Sequence, residues 1–521
     1  MGILGFTMVS LNSCQKDDFS TLKDPTWSPE LAFPLVYSEL TLSDLVHADN
    51  SGTTVTTDPD QFATLYYEGN TINIDASSIV NIPDQGFNSS ISLNSAQLLA
   101  LNTLGALSIQ ETQTITLDPG QNTNLDSLLC KAGQLQFELD SDFPATVQVD
   151  FELPNLTRNG YPLNYSAFTT NGSSTNNTIS EDLANYKFDL TKSNQGVNSI
   201  DINLTLSITD IQSPITTQHS TSLEMKLSAI DYQTVFGYFG QRSFLYERDS
   251  VHVSIFENST NFGSFIIADP KLNFLINNSM GIPLEVTIPE ANAFGTTFQQ
   301  PISGIPSPIP TVSPGINEIG ATKTTDFALN NTNSNLTAVI SSQPNYIFTQ
   351  GRMSLNPVGQ SFNFLTDESA LTVDVTMEIP LYGSATNFRV KDTLPFSYDD
   401  LDNVNTLELK TSVSNTFPIE AAVQIIFTDE NFQPLDSLFL PGEVTVPAGI
   451  IDPETGKVSI AGVQDLEHIF NRNRIKGILN SKHIIVNGYA STVDAGSSNV
   501  KIYTDYTLNV KIGAKAKINV K

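Results

Sequence analysis

The residues most able to do chemistry are five histidines: His47, His219, His252, His468 and His483. No two stand four apart, as a helical metal site needs, and no His-x-His pair occurs for a strand. Isolated histidines of this kind read as surface or structural residues. The chain has no Gly-x-Ser-x-Gly elbow, no Walker A loop and no dinucleotide fingerprint in a βαβ context. Asp399, Asp400 and Asp402, beside Asn403, crowd the oxygen ligands that Ca²⁺ takes. The same run reads first as a solvated acidic turn. Asp58 with Asp60, and Asp429 with Glu430, are sparser versions. A glycan platform needs exposed aromatic rings, and the best cluster is Phe236, Tyr238 and Phe239. A strand with one aromatic face in a core explains that cluster as well. Nothing here assembles a catalytic set, so no enzyme activity and no cofactor are expected.

The elements that would position such residues are strands. Leu135, Phe137, Leu139 and Ser141 alternate with polar residues and lead to Pro144. Leu272, Phe274, Ile276 and Asn278 do the same and lead to Pro283. Leu409, Thr411, Val413 and Asn415 lead to Pro418. The three sets are spaced 137 residues apart. Alternation marks a half-buried strand, and proline, lacking an N–H, marks its end. The glycines Gly351 and Gly359 recur as Gly488 and Gly496, again 137 later. Gly240 and Asp249 recur as Gly383 and Asp392 at a spacing of 143. This predicts a mainly β fold of tandem sandwich-like repeats, with units at 31–215, 216–365 and 366–521. One short helix is expected in at least the last unit, within 464–479, where Leu466, Ile469, Phe470 and Ile478 fall at helical spacing. The Pro- and Gly-rich stretch 295–320 is expected as a loop covering the outward Leu275. Glu408, Lys410 and Ser412 must face water, because an unpaired buried charge is very costly.

The chain has 521 residues, with 25 Lys and Arg against 55 Asp and Glu, a net charge of −30. Such a surface repels nucleic acid, so no nucleic-acid partner is expected. Only 15% of residues are charged, and Asn, Ser and Thr fill the polar positions instead. Two cysteines, Cys14 and Cys130, are present. Cys130 is expected as a lone buried thiol.

Residues 3–11 form a short apolar run, far below the ~20 needed for a membrane-spanning helix. The run fits the apolar core of a signal peptide over residues 1–13. Leu11, Asn12, Ser13 and Cys14 resemble a bacterial lipobox, in which the cysteine is lipidated. Lys16, Asp17 and Asp18 resemble the surface-export signal of Bacteroidota lipoproteins. The resemblance implies a lipidated tether over 14–30 and an outer-membrane, cell-surface location. No Lys or Arg precedes Cys14, which leaves open a start upstream of Met1. Asp-Ser or Asp-Thr followed by an aliphatic residue, at Asp126, Asp249, Asp392 and Asp436, resembles an O-glycosylation acceptor of the same envelopes. The strand–turn–proline pattern resembles the water-stress (late-embryogenesis) β-sandwich domain, which implies a fold and no activity.

The expected function is that of a non-catalytic surface lipoprotein that binds or spaces a protein, glycan or lipid partner outside the cell. A glycan-binding accessory of a nutrient-uptake complex and a lipid-binding carrier are the other readings.

Overall fold

A computed structural model of the chain describes residues 30–42, 53–69, 72–120, 122–172, 178–191, 196–246, 248–253, 256, 263–395, 404–439 and 446–518. Three sandwiches of antiparallel strands account for most of them. Each packs a sheet of four strand positions on a second sheet of four, except that Thr53–Thr57 adds a fifth position to one sheet of the second sandwich. In the first sandwich one sheet runs Gln85–Ser92, Ser220–Tyr238, Asn124–Ser141, Thr178–Asp182. Its other sheet runs Leu107–Thr116, Ser199–Thr209, Thr146–Arg158, Tyr161–Thr170.

The second sandwich repeats that order. Thr53–Thr57 is the edge strand on Ala63–Glu68, which with Ile72–Asp75 shares one side of Ala370–Pro380, followed by Lys271–Asn278 and Lys323–Leu329. Its second sheet begins with Arg242–Leu245 and Asp249–His252 on one edge. Tyr346–Leu355, Leu284–Phe294 and Gln299–Pro301 follow. In the third sandwich the first sheet is Glu30–Thr41, Thr507–Ile518, Val404–Asn415, Gly462–Asn471. The second is Phe388–Pro395, His483–Thr492, Ile419–Thr428, Pro434–Ser437. Tyr346–Leu355 and His483–Thr492 are the same ten-residue strand displaced by 137 residues.

The three aligned strands are the central strands of these sheets, and their inward faces are as the alternation requires. Leu135, Phe137, Leu139, Ser141, Leu272, Phe274, Ile276, Asn278, Leu409, Thr411, Val413 and Asn415 are all buried. Lys410 and Ser412 are exposed. Each strand ends in the same device. The Asn278 side-chain oxygen accepts the Met280 N–H at 2.9 Å, and Asn415 accepts that of Phe417 at 2.9 Å. Ser141 takes the Phe143 N–H at 3.4 Å. A side chain that caps its own backbone two residues on turns the chain sharply before the proline.

The unit boundaries expected at 215 and 365 each fall one strand early. Ser220–Tyr238 closes the first sandwich and Ala370–Pro380 closes the second. The N-terminal strands were expected in the first unit, but Glu30–Thr41 lies in the third sandwich and residues 63–75 lie in the second. The sandwiches are therefore nested in the chain. The first is inserted between two strands of the second, and the second between two strands of the third.

The helix of the last unit is Arg472–Leu479, with Asn471 as its N-cap. Residues 464–471, expected to be helical, belong to strand Gly462–Asn471, where His468 and Phe470 point inward at period two. Ser95–Leu104 and Leu336–Ser341 are the other α-helices among the described residues. The loop 295–320 does not cover Leu275, which stays 40% exposed. It docks instead at the strand end, where the Asn278 amide donates to Val312 O and Ser313 Oγ.

Two joints of one design connect the sandwiches. Asn363–Thr366 pairs with residues 234–237 of the first sandwich. Val500–Lys501, displaced by 137 from the start of that segment, pairs with Tyr382 and Gly383 of the second. Among the described residues no strand pairing joins the first sandwich to the third.

Candidate functional site

The residues singled out in the sequence do not converge. Cys14, Lys16, Asp17, Asp18, Asp399, Asp400 and Asp402 lie outside the described residues. Phe239 is buried, and its N–H donates to Asn363 Oδ1 at 3.1 Å. Phe236 is half-buried, with ring centroids 6.0 Å from Phe362 and 6.5 Å from Phe364. Tyr238 is half-buried on the same strand. Phe236 and Phe239 thus build the joint between the first and second sandwiches, while Tyr238 pairs with Asn124 inside the first. The joint is polar on its inner side, where buried Asn356 and Asn363 exchange amide hydrogen bonds at 2.9 and 3.0 Å. Cys130 is a free buried thiol, and burial with Asp231 pushes its pKa up to about 12.

Between the two sheets of the second sandwich lies a void of about 20 Å³ lined by Phe274, Val286, Met353 and Val375. It has room for one water and none for a lipid chain. Among the described residues no group of three His, Cys, Asp or Glu side chains is placed to hold a metal ion.

One surface stands out on the outer face of the second sheet of the second sandwich. Tyr346 and Phe348 alternate with buried Ile347 and Thr349, so both rings point away from the core. His252 pairs with Tyr346 across the edge strand and stacks on its ring at 4.7 Å. Phe294 pairs with Tyr346 on the other side and packs edge-on against Phe348 at 4.9 Å. Tyr346 and Phe348 lie 5.9 Å apart. Tyr346 is 40% exposed. The polar margin is held in place. Arg248 donates through Nε and a terminal nitrogen to one oxygen of Glu290 at 3.0 and 2.7 Å, and the Asn292 amide donates to the other at 3.0 Å. Glu290 and Phe294 are four residues apart on one strand, or roughly 13 Å.

No protein-family model and no curated protein matches this chain. Among solved structures it is similar to a protein of Parabacteroides distasonis described as secreted, at 12% identity and a TM-score of 0.29, over 55% of this chain and 89% of that one. The infectious bursal disease virus Gx strain structure follows at 8% identity and a TM-score of 0.14, over 92% of this chain and 85% of that one. A triple jelly roll protein of an archaeal virus has 14% identity and a TM-score of 0.11, over 94% and 97% of the two chains. None of these overlaps bears on the function of this chain.

The aromatic face escaped the sequence because its members come from three strands. A signal did exist in the repeat register. Tyr346 and Phe348 align with His483 and Ile485 of the third sandwich, so the second copy has two rings where the third has one.

Proposed function

We propose that this chain is a non-catalytic surface lipoprotein, tethered through Cys14, that displays tandem binding modules outside the cell. The observation that carries this reading is the nesting. The first described strand after the tether, Glu30–Thr41, sits in the third sandwich beside Thr507–Ile518. An anchor upstream of Glu30 thus holds the third sandwich at the membrane, with the first sandwich two joints away. Charge supports the same orientation. Residues 388–521 carry 13 Lys and Arg against 16 acids, whereas residues 76–241 carry 5 against 16. The less acidic end is the one that tolerates an anionic leaflet. No helix among the described residues is long and apolar enough to cross a membrane. Acyl chains at Cys14 would then supply the attachment.

The test is fractionation of cells carrying the chain with Cys14→Ala. The variant is expected to leave the membrane fraction and to become inaccessible to protease on whole cells. Cys14→Ala that stays membrane-bound and protease-accessible removes the anchor.

A further inference from the structure

We infer that the aromatic face of the second sandwich binds the pyranose rings of a neutral polysaccharide. The inference rests on the reading of the chain as a displayed binding protein and assigns that binding to Tyr346, Phe348, Phe294, His252 and Glu290. The first ground is that the fold does not require these rings. In the third sandwich the strand pair that holds Phe294 and Tyr346 holds Thr428 and His483. In the first, the corresponding strand Ser199–Thr209 presents Asn203, Thr205 and Ser207 on that face, with Asp201 on the same side but buried. The third copy places His483, stacked on Phe432 at 4.5 Å, and Ile485 where the second has Tyr346 and Phe348, so the shared architecture does not require that ring pair.

The second ground is the chemistry of the surface. Tyr346 is the most exposed ring of the patch, and an aromatic face is negative at its centre. The axial C–H bonds of a pyranose present a weakly positive surface of matching size. Sugar hydroxyls need fixed polar groups at the margin, and Glu290 is held in place by Arg248 and Asn292. A carboxylate offers about four acceptor positions, so three internal bonds leave it able to take a hydroxyl. The roughly 13 Å from Glu290 to Phe294 suits a run of two or three sugar units rather than one. The net charge of −30 repels acidic polysaccharides and selects neutral ones.

Native gel electrophoresis of the full chain through gels containing laminarin, starch, xylan, mannan or arabinogalactan tests this. At least one polysaccharide is expected to retard the protein. Tyr346→Ala and Phe348→Ala should each weaken that retardation about tenfold, the scale of one lost stacking contact. Tyr489→Ala, an exposed tyrosine of the third sandwich, should leave it unchanged. A melting curve checks that each variant is folded. Retardation by none of the five overturns the inference, as does undiminished retardation of folded Tyr346→Ala. So does a protein cross-linked at this face that competes with no polysaccharide. The membrane fractionation of Cys14→Ala reads independently of all these outcomes.

Discussion

In the second sandwich, Leu272, Phe274 and Ile276 join a core that continues without a break into the first. In the third sandwich, Leu409 lies in a separate and much smaller core with Phe427, Phe470 and Ile475. Among the described residues the second and third are bridged by the Val500–Lys501 pairing and by a small cluster of Phe417, Tyr503 and Tyr506, with Phe62 against it. The backbone plan and its 137-residue register are common to both, so the plan does not decide how tightly a sandwich is coupled to its neighbour. Side chains at the joints decide it. At the first joint Leu365, paired with Val235 of the first sandwich, lies in the shared core, and the neighbouring Phe364 ring lies against Gly281, where a Cβ would come within 2.0 Å of it. At the second joint the Val500–Lys501 pairing is accompanied by a few edge-on rings, such as Phe62 against Tyr503 at 5.8 Å. The first two sandwiches should therefore melt as one body and the third as another.

Truncation of the aligned leucines gives the largest effect. Leu272→Ala removes a wholly buried side chain from the shared core, at a cost of about 2–5 kcal/mol. Calorimetry should show a transition covering the first and second sandwiches moving down, with the third unmoved. Leu409→Ala should lower only the transition of the third. Lys410→Ala, on the exposed side of the same strand, should move neither. A single transition shifted by either leucine variant would mean that the two joints are equally tight.

The strand-end caps come next. Asn278 is 1% exposed and holds Met280 N, Val312 O and Ser313 Oγ. Asn278→Ala strands those groups at a cost of about 1–3 kcal/mol. Asn415→Ala should cost the third sandwich a similar amount, since Asn415 holds Phe417 N, Ile419 O and Pro447 O. Urea titration of both variants tests whether the two copies use this device equally.

The smallest contrast is in pH. A hydrogen bond to Glu378, with burial, pushes Tyr66 up to about 12, and burial with Glu181 does the same to Tyr165. The Cys130 thiol is also raised to about 12. All three groups are in the first two sandwiches. Each holds its proton longer folded than unfolded, so its contribution is complete below the unfolded value and is lost as pH rises toward the folded one. Melting temperature of the first two sandwiches should stay level up to about pH 9 and then decline toward 12. A decline confined to the third sandwich would contradict this assignment.

Much of the fold is legible in the chain because central strands carry their own pattern. Leu272, Phe274 and Ile276 alternate with residues that meet water, and Asn278 announces the turn. What the pattern leaves out is partnership. Glu30–Thr41 reads as a strand, but nothing local records that its partner lies at Thr507–Ile518. Residues 464–479 misled for a related reason, since Leu466, Ile469 and Phe470 satisfy a helical spacing while Phe470 and His468 satisfy an alternating one. The helix starts only where Asn471 accepts the N–H groups of Asn473 and Arg474. The candidate site was less legible still. Tyr346, Phe294 and His252 meet only once three strands are laid side by side.

The nesting also sets an order of manufacture. A ribosome or export channel delivers Glu30–Thr41 first, and its partner Thr507–Ile518 arrives last, after both inner sandwiches have been made. The innermost module has all its strands by Tyr238 and can fold before the others are complete. Until the end of the chain emerges, two strand segments wait with open edges, which is the state most prone to pairing with the wrong neighbour. Chaperones that hold extended chains would matter most for the third sandwich, and its last strand works as the latch that closes the molecule.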